Sequence, residues 1–263
     1  MSPFPDGAPC WADAMFPDVA AARDFYGQVL GWTFDDLGEE YGNYTMALVD
    51  GKPVAALMPV MPGPDAPALW NLYLATSDAA AVTGRVEGLG GTVAMGPEDV
   101  GGFGITSSLR DPAGTAFSLW QPNTHPGFGL TEVPGAYAWA EVYTRDAPAT
   151  DRFFPELFGY QVGVMEDPEM DFRIWSMAGR PVLGRMAMTD DDFPPEVPSY
   201  VNVYFSVPDC DAALDTAVRL GGQVHYGPTT TPFGRFAAVS DQQGASFSVI
   251  DTGTTEGEMP PMT

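Results

Sequence analysis

The chain has 263 residues, a formal net charge of −24 at pH 7 and 45% hydrophobic residues. This length fits two domains of ordinary size, each able to bury its own core. The acidic balance, with Lys52 as the only lysine, argues against nucleic acid or an anionic membrane as a partner, since both need a basic surface.

Hydrophobic runs and cysteines indicate the kind of compartment. No apolar run approaches the ~20 residues of a membrane helix, and the N-terminus lacks the basic and then apolar pattern of a signal peptide. Cys10 and Cys210 give no disulfide framework. The sequence therefore predicts a cytoplasmic protein with two reduced thiols.

The first predicted unit is a strand, a helix and two further strands. Alternating hydrophobicity over residues 11–16 indicates the first strand. Asp18 then caps a helix whose apolar residues follow helical spacing, and Gly31 ends it. An Asp-Gly turn joins the two remaining strands, at 44–49 and 54–59.

The second predicted unit follows a proline-rich linker at 61–67. It begins with a strand at 71–75 and a helix at 79–89 that ends at a Gly-Gly pair. Three strands complete it, at 92–95, 105–109 and 116–120.

The second half repeats the first at an offset of 154 − 26 = 128 residues, the spacing between Tyr26 and Phe154. The same offset pairs Trp11 with Trp139 and Asp13 with Glu141. A repeat this long indicates a doubled domain. In the third helix Pro155 replaces a glycine, and we expect it to kink or shorten that helix.

The repeat predicts the domain organisation. Each half should hold two strand–helix–strand units, and the chain should end in a disordered tail. The predicted ranges are 8–122 for the N-terminal domain, 123–135 for the linker, 136–251 for the C-terminal domain and 252–263 for the tail.

The first helix closes with Asp24-Phe25-Tyr26 and then Val29-Leu30-Gly31-Trp32. With the four repeated units, this motif set resembles the glyoxalase / bleomycin-resistance / dioxygenase superfamily, also called vicinal oxygen chelate proteins, over residues 8–251. The resemblance implies an α+β fold. Tandem βαβββ units would form two open eight-stranded barrels, with the helices outside and one pocket in each barrel.

Metal-using members of that superfamily carry ligands on the first and last strands of each unit. The resemblance places these positions, in the two halves, on Trp11, Asn71, Ala56 and Ser118, and on Trp139, Asn202, Gly184 and Ser248. Divalent metals bind several His, Cys or carboxylate ligands, and none of these residues is one. We therefore expect no metal and no other cofactor.

The same positions indicate which side chains face the pockets. If Trp11 points inward, strand alternation sends Asp13 inward as well, and Glu141 follows in the second half. A carboxylate on a Trp-lined wall has a raised pKa and is a candidate general acid or base. The alternative is that each carboxylate only accepts hydrogen bonds from its neighbours.

The remaining predicted pocket residues are aromatic, amide or hydroxyl side chains and one arginine, a mixture suited to a flat, mostly apolar ligand. The alternative is that the aromatic residues only fill the barrels. His125 lies in the linker, where it could reach over a pocket mouth, but it is expected to be an ordinary exposed residue. His225 is expected to be structural. The predicted substrate-binding set is Trp11, Met15, Asn71, Tyr73, Ser118, Trp120, Trp139, Tyr143, Asn202, Tyr204, Arg235 and Ser248.

Three functions remain open on the sequence. The first is a metal-independent enzyme that dehydrates, cyclises or isomerises a hydrophobic aromatic metabolite by proton transfer at Asp13 or Glu141. The second is a protein that sequesters an antibiotic or similar metabolite, and the third is a metal-dependent glyoxalase or dioxygenase with shifted ligands. The chain would act as a monomer or a homodimer.

Overall fold

A computed structural model describes residues 3–60, 68–166, 170–258 and 263, and contains two eight-stranded mixed sheets. The predicted linker at 61–67 lies outside these residues. The sheets have matching strand orders, β2-β3-β4-β1-β5-β8-β7-β6 and β10-β11-β12-β9-β13-β16-β15-β14. The first and second units therefore share one sheet, and the third and fourth share the other. The predicted α+β class of paired βαβββ units is confirmed.

The elements of the N-terminal half agree with the sequence pattern, except that the short strand β2 was not predicted. Their bounds are β1 Pro9–Phe16, α1 Val19–Leu30, β2 Thr33–Asp36, β3 Thr45–Val49, β4 Lys52–Pro59, β5 Leu69–Ala75, α2 Ala79–Val86, β6 Thr92–Asp99, β7 Gly104–Arg110 and β8 Ala116–Pro122.

The C-terminal half repeats this order. Its elements are β9 Tyr137–Thr144, α3 Ala147–Phe158, β10 Gln161–Met165, β11 Phe172–Met177, β12 Arg180–Ala187, β13 Tyr200–Ser206, α4 Cys210–Arg219, β14 Gln223–Thr231, β15 Gly234–Ser240 and β16 Ser246–Asp251. None of the helices in the described parts of the chain is long and apolar enough to cross a membrane.

Local chemistry sets the ends of the helices. The Asp18 carboxylate accepts a hydrogen bond from the Ala21 amide at 2.9 Å, which satisfies one of the free amides of α1. Gly31 ends α1 in the left-handed region at φ 74°, which only glycine adopts at little cost. The expected shortening at Pro155 is wrong, because α3 has 12 residues, as α1 has. Burial of Phe154 and Leu157 in the same turns holds the helix in place.

The helices lie between the two halves and join them. On the α1 side, Phe25 contacts the ring of Phe247 and the Tyr26 hydroxyl donates to Asp241 at 3.1 Å. On the α3 side, Phe117 contacts Phe154 with ring centroids 5.0 Å apart. One hydrophobic core therefore runs across both halves. The opposite face of each sheet is left for the candidate site.

The predicted linker and tail both make contacts. In the linker, the Phe128 amide donates to the Cys10 carbonyl at 2.8 Å, which ties residues 123–135 to β1. In the tail, the Glu256 amide donates to the Thr231 carbonyl at 3.1 Å, and Thr263 pairs with Val164 through two backbone hydrogen bonds.

Candidate functional site

Strand β1 presents its odd-numbered residues to the face away from α1. Phe16 contacts Tyr26 of α1, so the even-numbered residues face the helix. Trp11, Asp13 and Met15 therefore share the opposite face, as the sequence predicted. Strand β5 pairs with β1 and sets Asn71 directly across from Asp13.

Asp13 is the centre of a polar cluster on this face. Its carboxylate is 3% exposed and accepts hydrogen bonds from the Tyr73 hydroxyl at 2.8 Å, the Tyr44 hydroxyl at 3.1 Å and the Asn71 amide at 3.4 Å. Two further groups complete the cluster. The Trp11 indole donates to the Tyr44 hydroxyl at 2.8 Å, and the Ser118 hydroxyl donates to the Asn71 oxygen at 3.1 Å.

The electrostatics of this cluster favour a carboxylate that titrates near neutrality. Burial raises the pKa of Asp13 from 3.8 to about 6, and the hydrogen bonds from Tyr73, Tyr44 and Asn71 oppose that rise. None of the ion pairs found within the described residues involves Asp13. Burial also raises the pKa of both tyrosines well above 10, so they remain hydroxyl donors at neutral pH.

The two ends of the N-terminal site differ in access. At the outer end, Met15 is 39% exposed, and its cross-strand partner Leu69 is 56% exposed. At the inner end, Trp11 is 2% exposed and contacts the ring of His125, with centroids 4.5 Å apart. The site is therefore closed at its inner end, at Trp11, and bordered by exposed apolar side chains at its outer end.

The C-terminal half has a related cluster around Glu141. This carboxylate accepts a hydrogen bond from the Tyr204 hydroxyl at 2.8 Å, and the Tyr143 hydroxyl lies 3.5 Å from that of Tyr204. Burial is the main cause that raises the Glu141 pKa. The Asn202 amide donates to the Ser248 hydroxyl at 2.8 Å, so the predicted pair meets here as well.

One donor of the N-terminal cluster has no counterpart in the C-terminal half. Phe172 takes the place of Tyr44 at the 128-residue offset and carries no hydroxyl. Its ring lies over Gly184, where an added Cβ would come within 2.7 Å of Phe172 and 2.8 Å of Glu141. A hydrocarbon ring thus packs beside Glu141, whose side-chain hydrogen bonds come instead from Tyr204, Tyr143 and Trp139.

Aromatic side chains cover the outer end of the C-terminal cluster. Tyr143 and Tyr200, the counterparts of Met15 and Leu69, are cross-strand partners that stack with centroids 5.0 Å apart and planes 13° apart. Phe193, in the segment that precedes β13, contacts Tyr143 with ring centroids 5.6 Å apart. We call residues 189–199, which carry Phe193, the strap.

Arg145 holds the strap in place. Its guanidinium donates to the carbonyls of Phe193, Pro194 and Val197 at 2.6 to 3.3 Å and to the Asp190 carboxylate at 2.9 Å. The strap therefore rests on the aromatic stack through side-chain and backbone contacts.

The structure brings most of the predicted site residues to these two clusters. Two residues differ: Trp120 makes its hydrogen bond to the linker, and Arg235 makes its ion pair with α4. The Trp120 indole donates to the backbone carbonyl of His125 at 2.9 Å. Arg235 is not brought to the Glu141 cluster, because its guanidinium is paired with Asp211 of α4 at 2.8 Å. Trp139 lies partly buried against the cluster of Met165, Phe172 and Ile174.

Two residues in the N-terminal site were not in the predicted set. Tyr44 directly precedes β3. Strand alternation places its side chain on the face of the sheet opposite to the one that carries Ala47, which is completely buried. That alternation was a usable signal. His125 was expected to be exposed, but its linker folds back over Trp11. No local pattern reveals such a long-range contact.

The residues at the superfamily's metal positions do not fit a divalent metal. Trp11, Asn71, Ala56 and Ser118 supply an indole, an amide, a methyl and a hydroxyl. Within the described part of the chain, no group of three or more His, Cys, Asp or Glu side chains could hold a metal ion.

The chain matches one family model in both halves, described as the Glyoxalase/Bleomycin resistance protein/Dioxygenase superfamily, over residues 11–119 and 136–249. Similar proteins include the anthracycline biosynthesis protein DnrV of Streptomyces peucetius, 38% identical over 95% of both chains. Another is named "Putative glyoxylase CFP32", from Mycobacterium tuberculosis, 37% identical over 95% of this chain and 96% of that protein.

A solved structure shares the fold. The Mn(II)-bound glyoxalase from Novosphingobium aromaticivorans superposes with a TM-score of 0.62, at 18% identity, over 98% of this chain and 87% of that one.

Proposed function

This chain belongs to the glyoxalase/bleomycin resistance protein/dioxygenase superfamily, and we propose that its N-terminal half is a metal-independent site for proton transfer on a flat aromatic metabolite. Asp13 is the acid or base. The similar protein DnrV carries a name that refers to anthracycline biosynthesis, and an anthracycline is a polycyclic aromatic metabolite. That name supports the ligand class.

The observation that carries the proposal is the environment of Asp13. The carboxylate is buried, accepts hydrogen bonds from two tyrosine hydroxyls and has a pKa near 6. A general acid or base works best when its pKa lies near the working pH. Asp13 is held by neutral donors, so burial penalises its ionised form and keeps its pKa raised.

The step proposed is a reversible proton transfer. The ionised Asp13 accepts a proton from an acidic C–H or O–H of the ligand, and the electron pair stays on the ligand as an enolate or phenolate. Asp13 then returns the proton at another atom, which gives an isomerisation, or to a leaving hydroxyl, which gives a dehydration. The Tyr44 and Tyr73 hydroxyls orient the carboxylate for both transfers.

The N-terminal half is the better candidate because its outer end is bordered by exposed apolar residues. Met15 and Leu69 provide apolar surface that an aromatic ligand would cover on entry. In the C-terminal half, Tyr143 and Tyr200 stack on each other at the same place. Glu141 is thus assigned a structural role.

The proposal is tested by solvent deuterium exchange, which detects proton transfer before the natural reaction is known. Polycyclic hydroxyketones are incubated in D2O with wild-type protein, with Asp13→Asn and with Glu141→Gln, and C–H exchange is followed by mass spectrometry. We expect Asp13→Asn to lower the exchange rate by at least about 100-fold and Glu141→Gln to retain most of it.

Two outcomes would contradict parts of the proposal. Stoichiometric binding without exchange or conversion would indicate a sequestering protein and remove the catalytic role of Asp13. Loss of exchange after dialysis against a chelator, restored by a divalent metal, would remove metal independence.

A further inference from the structure

The His125 side chain occupies the inner end of the N-terminal site. Its ring lies edge-on to Trp11, with centroids 4.5 Å apart and planes 87° apart, and 5.7 Å from the ring of Trp120. Both tryptophans were predicted to bind substrate, so the imidazole lies among the proposed ligand-binding walls.

The backbone of His125 is fixed on both sides. Its amide donates to the Phe103 carbonyl at 3.0 Å, and its carbonyl accepts from the Trp120 indole at 2.9 Å. The linker is thus tied to β8 at this residue. A polar group held in place before the ligand arrives loses little freedom on binding, which favours affinity.

One ring nitrogen of His125 has no partner. Nε2 is buried and makes no hydrogen bond within the described residues. The nearest indole, that of Trp11, already donates to Tyr44. Leaving a buried polar atom without a partner is unfavourable, so such an atom in a folded protein calls for an explanation.

The protonation state suits a ligand contact. Burial lowers the pKa of His125 to about 4, so the imidazole is neutral at pH 7. A neutral imidazole can present Nε2 either as a donor or as an acceptor. It can therefore pair with a ring carbonyl or with a phenolic hydroxyl.

We propose that His125 Nε2 recognises an oxygen substituent of the aromatic ligand, at the end of the ligand that enters first. This inference rests on the proposed function and adds a second polar contact to it. Asp13 handles the proton, while His125 selects ligands that carry a hydroxyl at the inner end.

Affinities for two probe ligands test this inference. The probes are 1,4-dihydroxyanthraquinone and 1,4-dimethylanthraquinone, which have similar shapes but differ in two hydroxyls. His125→Phe keeps an aromatic ring against Trp11 and removes both nitrogens. We expect it to reduce the preference for the dihydroxy probe about tenfold, as the loss of one buried hydrogen bond implies. His225→Phe is the matched control and should keep the wild-type preference.

The outcomes separate the two proposals. An unchanged preference in His125→Phe overturns the role of His125 and leaves that of Asp13 standing. If the wild-type protein binds neither probe, the aromatic ligand class is wrong, and this inference is wrong with it. Thermal unfolding of His125→Phe confirms that the variant is folded.

Nitrogen NMR gives a second readout in the unmodified chain, which has only two histidines. Addition of the dihydroxy probe should shift the ring-nitrogen signals of His125 and leave those of His225, whose Nε2 lies 2.9 Å from the Ser240 hydroxyl, in place. Saturating probe without a shift at His125 would overturn the inference.

Discussion

The two halves of the chain build the same polar face and complete it differently. Asp13 and Glu141 hold matching positions on β1 and β9, and each accepts a tyrosine hydroxyl at 2.8 Å. At the outer end, the N-terminal half has the exposed pair Met15 and Leu69, whereas the C-terminal half has two stacked tyrosines under a strap.

The outer end therefore differs in kind between the halves: it adds stabilising contacts in the C-terminal half and exposed apolar surface in the N-terminal half. In the C-terminal half, stacked aromatic rings and the Arg145 hydrogen bonds to the strap stabilise the outer end of the cluster. In the N-terminal half, the apolar border of Met15 and Leu69 is exposed. One copy of a duplicated scaffold has the features of a ligand site, and the other has those of a packed core.

The largest expected effect is on stability, at Asp13. Its pKa is raised from 3.8 to about 6 on folding, so the native state binds the proton more tightly than the unfolded state does. Stability therefore falls as the pH rises from about 4 to about 6, by roughly 3 kcal/mol in total. Asp13→Asn removes that penalty and should be more stable than wild type at pH 8.

Urea unfolding at pH 4 and pH 8 measures this difference. We expect the advantage of Asp13→Asn to reach about 2–3 kcal/mol at pH 8 and to vanish near pH 4. An equal advantage at both pH values would mean that Asp13 titrates normally. Asp18→Asn is a poor control because it alters a helix cap, so the exposed Asp24→Asn serves instead.

The second effect is on ligand access. Met15→Tyr with Leu69→Tyr copies the stacked pair of the C-terminal half into the N-terminal half. Because these positions are cross-strand partners, the rings can stack over Asp13. We expect affinity for 1,4-dihydroxyanthraquinone to fall at least about 30-fold, measured by tryptophan fluorescence.

The matched control makes the opposite change. Tyr143→Met with Tyr200→Leu alters the C-terminal half, and the N-terminal site should bind as before. If the control loses binding and the N-terminal variant keeps it, the assignment of the two halves is reversed.

The third effect is on the strap. Arg145→Ala removes the hydrogen bonds to three carbonyls and to Asp190, so it should lower the free energy of unfolding by about 1–2 kcal/mol. Arg110→Ala removes one hydrogen bond, to Gly114, and should change it by less than about 0.5 kcal/mol. Equal effects would show that the strap contributes no special stability.

The smallest effect concerns Tyr44. Tyr44→Phe gives Asp13 the same neighbour that Glu141 has in Phe172, and it removes a hydrogen bond that lowers the Asp13 pKa. When the rate of C–H exchange is measured against pH, its fall on the acid side should move to higher pH. The exchange rate at pH 6 should fall about threefold. Phe172→Tyr should leave the profile unchanged, and an unshifted limb in Tyr44→Phe would separate Tyr44 from the proton transfer.

The resemblance to the superfamily indicated that Trp11 and Asn71 face inward, and strand periodicity extended that face to Asp13 and Met15. A strand has only two faces, so alternation placed Trp11, Asp13 and Met15 on the same one. Asn71 was predicted to face the same pocket from the strand at 71–75. The 128-residue offset predicted the matching residues Trp139, Glu141 and Tyr143 of the C-terminal half. The superfamily and the α+β fold are confirmed.

The features beyond that face depend on contacts between distant segments. His125 reaches Trp11 through a folded linker, and Phe193 reaches Tyr143 through the strap, so neither contact has a local periodic signal. Arg235 follows the strand pattern, but a carboxylate on α4 binds it instead. The domain boundaries remain predictions.

The most direct test of the central claim is a crystal structure of the protein with 1,4-dihydroxyanthraquinone bound. We predict ring density over Asp13, with the ligand entering between Met15 and Leu69 and the Tyr143 and Tyr200 stack unchanged. Density between the strap and Glu141, with the N-terminal site empty, would contradict it.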